Sequence, residues 1–463
     1  MRAPRLLLLA CVVISISCGG LSQAAGSITG TPPALQPSPT LTTAVAATPV
    51  PPAFVPPQCA DVPLATLPAA TTVAQPTAEL QANPDVTTEA QLTVLNGLAN
   101  AVQAHYVYPE AINDEWLARV DESRRKIEGG LDTEAFYSEM HPLVTSLGDD
   151  HSYYQSPQEI SDEKASLAGI YNVVGIGALF LPLIEKGWPT ILVVLDGSPA
   201  AHAGLVPHDV VLAVDGMPIG EPGLVHREWT RGPECSAVVL TVQSPGQKPR
   251  DLTLIRASVT APLEIDARLV STLDGSRIGY IFLPTFQDKT IGDQVGRALE
   301  SFGPLDGLVL DNRMNGGGLG SVAEQILGFF TSGLAGHYTT REGVEPLEIK
   351  ADPIGNSEDV PLVILIGKNT VSYGELFSGI LHDIGRARLV GQTTLGNVEQ
   401  LRAYDFLDGS RAWLASARFG PRNSEADWEA EGIVPDVEVI AEWDSFTFET
   451  DPGVAAALRL LGH

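Results

Sequence analysis

Residues 362–381 read Leu362-Val363-Ile364-Leu365-Ile366-Gly367-Lys368-Asn369-Thr370-Val371-Ser372-Tyr373-Gly374-Glu375-Leu376-Phe377-Ser378-Gly379-Ile380-Leu381. The first five form an apolar run of strand length, and the apolar positions after Gly374 follow a helical period. Ser372 therefore falls at a strand-to-helix turn. There a hydroxyl is exposed, and the free N–H groups and positive dipole end of the helix can stabilise developing negative charge. A helix-capping serine would have the same surroundings. Upstream, Val309-Leu310 leads into Asp311-Asn312-Arg313-Met314-Asn315-Gly316-Gly317-Gly318, a glycine-rich turn whose unencumbered N–H groups can line an oxyanion hole.

Outward from this pair, the segments Gly279 to Leu283, Leu308 to Leu310, Leu362 to Ile366 and Arg388 to Val390 alternate with helical stretches. Such alternation predicts an α/β sheet. Residues 167–258 are different in kind, with short β-rich runs at Val173 to Phe180, Ile191 to Leu195, Val210 to Val214 and Val238 to Val242. They read as a separate small β-domain. Before it, Leu92, Leu95, Leu98 and Val102, then Trp116, Val120 and Ile127, recur at helical spacing and predict two or three helices.

The chain has 463 residues, 56 Asp plus Glu against 28 Lys plus Arg, and a net charge of -28. That balance repels phosphate backbones and argues against a nucleic-acid partner. No apolar run reaches the roughly 20 residues of a membrane-spanning helix. Arg2 and Arg5 followed by Leu6 to Ile16 have the form of a secretory signal. Two processing sites compete: Cys18, in Ser15-Ile16-Ser17-Cys18-Gly19, as a lipidation site, and Ser22-Gln23-Ala24 as an ordinary cleavage site. Residues 25–84 are rich in Pro, Thr, Ala and Ser, the composition of an extended linker. Of the four cysteines, Cys59 and Cys235 lie outside the signal and could pair in an oxidising compartment. No Cys and His pair stands at metal-ligand spacing.

Two resemblances add to this reading. Val194-Leu195-Asp196-Gly197-Ser198-Pro199-Ala200-Ala201-His202-Ala203-Gly204-Leu205, followed by His208 to Gly216, resembles a bacterial PDZ domain. By that resemblance Val174-Gly175-Ile176-Gly177 is the loop that holds a peptide's terminal carboxylate. The glycine turn, the Ser372-x-x-Glu375 segment and the closing Gly432-Ile433-Val434-Pro435-Asp436 resemble the C-terminal processing (tail-specific) serine peptidases. With a signal at 1–24 and a linker at 25–84, the resemblance implies a multidomain α/β chain: helical domain 85–166, PDZ-like domain 167–258, peptidase core of the ClpP/crotonase-like type 259–446 and a tail or short helix 447–463.

One large branch of that family activates its serine with a lysine, and this chain has Asn397 at that position. A neutral amide cannot accept the hydroxyl proton. The other branch, which includes the tricorn protease core and the chlamydial protease-like factor, uses histidine oriented by glutamate. Leu147-Gly148-Asp149-Asp150-His151-Ser152-Tyr153 matches its histidine motif, and Glu429 stands at its glutamate position, with Glu431 the second choice. The resemblance thus implies Ser372 as nucleophile, His151 as base, Glu429 as orienting acid, and N–H donors from Tyr373 with Gly317 or Gly318. Asn397 and Glu375 are expected to line the site. The function expected is an exported serine endopeptidase acting on protein or peptide substrates without a cofactor. The alternative is a catalytically inactive, peptide-binding envelope scaffold.

Overall fold

The computed structural model describes residues 54–60, 85–149, 151–161, 173–183, 186–219, 232–259 and 262–463. The expected signal, Cys18 and most of the linker lie outside them. The buried runs of the core become the centre of a six-stranded sheet. Its order is Ala267–Ser271, Arg277–Phe282, Gly307–Asp311, Leu362–Ile366, Arg388–Gly391 and Val437–Glu438. Every neighbouring pair is parallel except the first. Leu308 to Leu310 and Leu362 to Ile366 are buried throughout, as expected for strands packed between layers. Helices Ile291–Phe302, Gly320–Phe330, Tyr373–Asp383 and Pro452–Leu460 all contribute side chains to this core. Ser372 thus follows the C-terminal end of a central parallel strand, the edge of such a sheet where ligand sites form.

A second sheet is antiparallel and runs Tyr153–Gln155, Arg411–Pro421, Gly333–Thr339, Val344–Ile349, with Gln400–Asp405 also paired to Arg411–Pro421. Three helices, Thr88–His105, Asp114–Glu128 and Thr133–Thr145, start at Thr87, Asn113 and Asp132, whose side chains accept first-turn N–H groups. Leu95, Leu98, Val102, Trp116 and Ile127 pack with Ala412, Leu414 and Ala415 of the long strand. The segment 85–166 is accordingly not purely helical, because Tyr153–Gln155 joins this sheet.

The β-domain forms the sheet Ala178–Pro182, Pro189–Val194, Val210–Val214, Ala237–Gln243, Arg250–Ile255. Val173–Gly175 pairs separately with Ala257–Val259. Cys59 and Cys235 are joined by a disulfide with Cα atoms 5.3 Å apart, and Phe54 stacks on His202 with ring centroids 3.6 Å apart. Residues 54–60 are thereby fastened to this domain.

The C-terminal segment, expected as a tail or short helix, packs into the main core through Val454, Ala456 and Ala457 of helix Pro452–Leu460. Its cap, Asp451, accepts from Gly453 N–H at 2.7 Å and from Arg313 Nη1 at 3.0 Å. Arg313 Nε donates to Asp311 Oδ1 at 2.9 Å, so one buried guanidinium joins the end of a central strand to the last helix. Arg313→Met would leave two buried carboxylates without their cation. We expect a loss of about 3–5 kcal/mol in unfolding free energy, measured by urea titration; a loss below about 1 kcal/mol would contradict this role.

Candidate active site

The serine turn is pinned from three sides. Thr370 Oγ1 donates to Asn312 O at 2.8 Å, Val371 N–H donates to Asn315 O at 3.0 Å, and Gly367 N–H donates to Thr370 Oγ1 at 2.9 Å. These bonds seat the turn directly on the glycine-rich turn after Gly307–Asp311. Ser372 is forced to φ 56° and ψ -126°, a conformation sparsely allowed for a residue with a Cβ. Strain of this kind, of order 1–3 kcal/mol, persists only where the surroundings over-determine it. It matches the sharp elbow that presents a nucleophile above a sheet. Close approach also dictates Gly317, since a Cβ there would lie 2.8 Å from Ser372 Cβ and 3.0 Å from Tyr373 N.

Of the expected oxyanion donors, Gly317 is already committed, because its N–H donates to Asn315 Oδ1 at 2.9 Å. Tyr373 N–H, in the first turn of its helix, and Gly318 N–H have no acceptor among the described residues. The first-turn N–H groups of a helix lack intrahelical partners. Of the three expected donors, Tyr373 and Gly318 N–H are thus left open, whereas Gly317 N–H is taken up by Asn315 and Gly317 serves close packing.

His151 is buried at the mouth of the helical segment. Its N–H donates to Asp149 Oδ1 at 2.8 Å, and Tyr106 Oη donates to Asp149 Oδ2 at 2.6 Å. Ser152 Oγ accepts from Ala415 N–H at 2.9 Å, which ties the next residue to the long strand. The imidazole Nδ1 lies 2.7 Å from Glu399 Oε2, with side chains 3% and 2% exposed. A carboxylate only accepts, so the proton of this contact is carried by Nδ1. The histidine and the serine hydroxyl are not hydrogen-bonded to each other among the described residues.

This geometry corrects the expected orienting acid. Glu399, not Glu429, holds His151. Glu429 sits beside it, accepting from Val398 N–H at 2.7 Å, with a carboxyl oxygen within 4.8 Å of the His151–Glu399 contact atoms. Glu431 is exposed and takes no part. Tyr108 Oη completes the set by donating to Glu399 Oε1. Burial alone would push Glu399 up, but the hydrogen bonds from His151, Glu429 and Tyr108 hold it well below the usual carboxylate range. Glu429 goes the other way, raised by burial and by its contact with Glu399. His151, Glu399 and Glu429 each place one donor atom within 4.8 Å of the others, a set whose chemistry could also accept a divalent cation.

Segment 396–399 joins this acid–histidine pair to the serine. Gly396 N–H donates to Glu375 Oε1 at 2.8 Å, and Glu375 Oε2 accepts from Ser372 N–H at 3.1 Å. Between the pinned Gly396 and Val398, Asn397 is buried with neither amide atom hydrogen-bonded among the described residues. In the β-domain, the carbonyls of Ile176 and Gly177 accept from Ala200 N–H at 2.8 Å and Leu195 N–H at 2.9 Å. Val174 and Gly175 lie in the strand paired with Ala257–Val259. Gly177 has φ 77°, and a Cβ there would meet Ser198 Cβ at 2.3 Å, so only glycine fits.

A strained serine facing open N–H donors, with a buried acid–histidine pair one short segment away, has the parts of a serine hydrolase that works by acyl transfer. Residues 277–439 match the model of peptidase family S41, and residues 190–244 match a PDZ domain. The carboxyl-terminal-processing protease of Synechocystis sp. is 29% identical over 357 residues, covering 75% of this chain and 81% of that protein. The carboxy-terminal processing protease CtpB of Bacillus subtilis is 27% identical over 335 residues, covering 71% and 66%. Among solved structures, the photosystem II D1 C-terminal processing protease shares the fold at a TM-score of 0.57 and 24% identity, covering 81% of this chain and 97% of that one. Residues 277–439 are thus similar to the S41 peptidases and residues 190–244 to PDZ domains, and the chain is a serine-type peptidase with a PDZ domain whose substrates are proteins or peptides.

Glu375 gives the site a measurable pH signature. Burial pushes it up to about 7, against hydrogen bonds from Thr394, Gly396 and Ser372 and the attraction of His151. The folded state therefore binds its proton more tightly than the unfolded chain, whose carboxyl titrates near 4.5. The resulting stabilisation is complete below the unfolded value and is lost as pH rises through about 7. Glu375→Gln has no such proton to lose. We expect the stability of Glu375→Gln relative to wild type to rise by about 3 kcal/mol between roughly pH 4 and pH 9, read by urea unfolding at the two ends. A flat difference would show that Glu375 is not held protonated.

Proposed function

We propose that Ser372 is the nucleophile, His151 the general base and Glu399 the residue that orients it, in an endopeptidase that cleaves through an acyl-enzyme. The observation that carries this reading is the buried 2.7 Å contact between His151 Nδ1 and Glu399 Oε2, on a segment that Glu375 ties to the strained serine turn. His151 Nε2 takes the Ser372 hydroxyl proton as Oγ attacks the peptide carbonyl. The oxyanion is received by Tyr373 and Gly318 N–H, and the imidazolium returns the proton to the leaving amine. Water then enters by the same route, with His151 again as base, to release the acyl group. Catalytic hydrogen bonds are commonly long without substrate and tighten in the complex. Glu399 stabilises the imidazolium by staying ionised, which its depressed pKa favours.

The PDZ loop Val174–Gly177 would receive the carboxyl terminus of the substrate by strand addition, with its glycines allowing close backbone approach. The chain would act outside the cytoplasm. Supporting this are the Arg2 and Arg5 n-region with its apolar stretch and the Cys59–Cys235 disulfide, a bond suited to an oxidising compartment. Lipidated Cys18 would hold it at a membrane surface, with residues 25–84 as spacer.

With an unfolded protein as substrate, Ser372→Ala and His151→Ala are expected to lower kcat by about 10⁴-fold or more, and Glu399→Gln by about 10³- to 10⁴-fold. Equal cleavage by wild type and Ser372→Ala would leave only peptide binding, the scaffold function. A Cys18→Ser chain is expected to move from the membrane fraction to the soluble one; unchanged partition would rule out the lipid anchor.

A further inference from the structure

We propose that the enzyme measures its cut from the carboxyl terminus of the substrate, releasing a tail of one preferred length between roughly five and ten residues, and that Asn369 marks the end of the measured stretch. The inference rests on the reading above, in which Ser372 is the nucleophile and the loop Val174–Gly177 receives the terminus. It specifies which tails that site takes.

The loop is followed directly by strand Ala178–Pro182, which pairs only with Pro189–Val194 among the described residues and so forms an edge of the β-domain sheet. The ladder decides which groups face that open edge. Leu195 N–H donates to Gly177 O at 2.9 Å, and Leu183 N–H donates to Trp188 O at 3.0 Å. Gly177 and Leu183 thus turn their groups toward the partner strand, and antiparallel alternation turns those of Ala178, Phe180 and Pro182 outward. The one irregular step in this pair passes over Leu192 of the partner, so the alternation along Ala178–Pro182 is kept. Ala178 and Phe180 offer N–H and C=O to an added strand. Pro182 has no N–H, and its carbonyl already accepts from Asn369 Nδ2 at 2.9 Å. An added peptide can use the first two positions and is stopped at the third.

Asn369 is buried and stands in the serine turn, three residues before Ser372. Thr370 and Val371 fasten that turn to the glycine-rich turn, so the serine keeps a set distance from Pro182. A peptide with its carboxyl group in the loop runs antiparallel to Ala178–Pro182, and its upstream residues therefore head toward Asn369 and Ser372. The occupant is the C-terminal segment of the same chain that is cut. Five residues alongside the strand span roughly 17 Å at about 3.3 Å each. From the Pro182 carbonyl to Ser372 the path is one hydrogen bond, the Asn369 side chain and the backbone steps to Ser372, together under about 18 Å, which at most about five further extended residues can bridge.

The test uses the full chain and a peptide series with one fixed body, one fixed apolar carboxyl end, and Gly-Ser spacers of increasing length between them, the products being read by mass spectrometry. The released tail should keep its length across the series, so that the cut moves as the end recedes. A cut that stays at one body sequence, or tails spread evenly over many lengths, overturns the proposal. Amidating the carboxyl end separates the failures. A loss of about tenfold or more in kcat/KM on amidation, together with scattered tails, defeats the spacing alone; no effect of amidation defeats the loop reading and the proposal with it. Cleavage by Ser372→Ala would strike the catalytic reading instead. Asn369→Ala frees the Pro182 carbonyl for one more pairing and should broaden the tail lengths and raise their mean; an unchanged distribution overturns the role given to Asn369. Should that variant not fold, the wild-type series decides the proposal by itself.

Discussion

The register of one long strand determines where the chemistry sits. Arg411–Pro421 pairs with Tyr153–Gln155 on one side, with Tyr153 opposite Trp413, and with Gln400–Asp405 on the other, with Ala403 opposite Trp413, Leu401 opposite Ala415 and Gln400 opposite Ala417. His151 stands two residues before the first of these partners and Glu399 one residue before the second. Both arrive beside the same part of the strand, and their contact follows from backbone pairing. The irregular step between Gln400 and Leu401 matters here. A one-residue slip in an antiparallel pair turns a side chain to the opposite face, and a bulge can re-aim it at a site.

The serine side is rigid for a different reason. Its turn has no room to relax, because Gly317 stands against Ser372 and Tyr373, Asn315 bonds both the turn and Gly317, and Glu375 bonds both Ser372 and Gly396. The Gly317 and Gly396 bonds are buried and the Ser372 bond partly so, and an unmade bond in a buried place costs about 1–3 kcal/mol. These costs hold a backbone conformation that a serine would otherwise avoid. The same Glu375 carries the constraint to segment 396–399, so the serine turn and the segment bearing Glu399 share one support.

Asn397 marks what this chain has exchanged. Where relatives of one branch carry a base on this segment, an enclosed amide now stands, and the titratable groups lie two residues further on and across the sheet, in Glu399 and His151. Imidazole, with an unperturbed pKa near 6.5, can act as a base at neutral pH without the burial that an ammonium would need. The N-terminal helices thereby gain a second task. Trp116, Leu98 and their neighbours pack on Ala412, Leu414 and Ala415, and this packing fixes the segment that delivers His151.

How much could be read in advance depended on the range of the interaction. Local pattern alone placed Ser372 at a strand-to-helix turn, the glycine turn after Leu310, the buried strands Leu308–Leu310 and Leu362–Ile366, and the small β-domain. Each is governed by periodicity or by backbone freedom within a few residues. His151 was legible through its motif. Glu399 was not, since two acidic candidates stood closer to the expected position, and the one hint was its even spacing from Asn397 on an extended segment. Tyr108 and the commitment of Gly317 N–H to Asn315 left no mark in the pattern. The sequence determined the strand-to-helix turn of Ser372, the motif that carries His151 and the layers that hold both. Tertiary structure decided which glutamate meets the imidazole, because that choice rests on strand register and on competition for buried hydrogen bonds among residues some 250 positions apart.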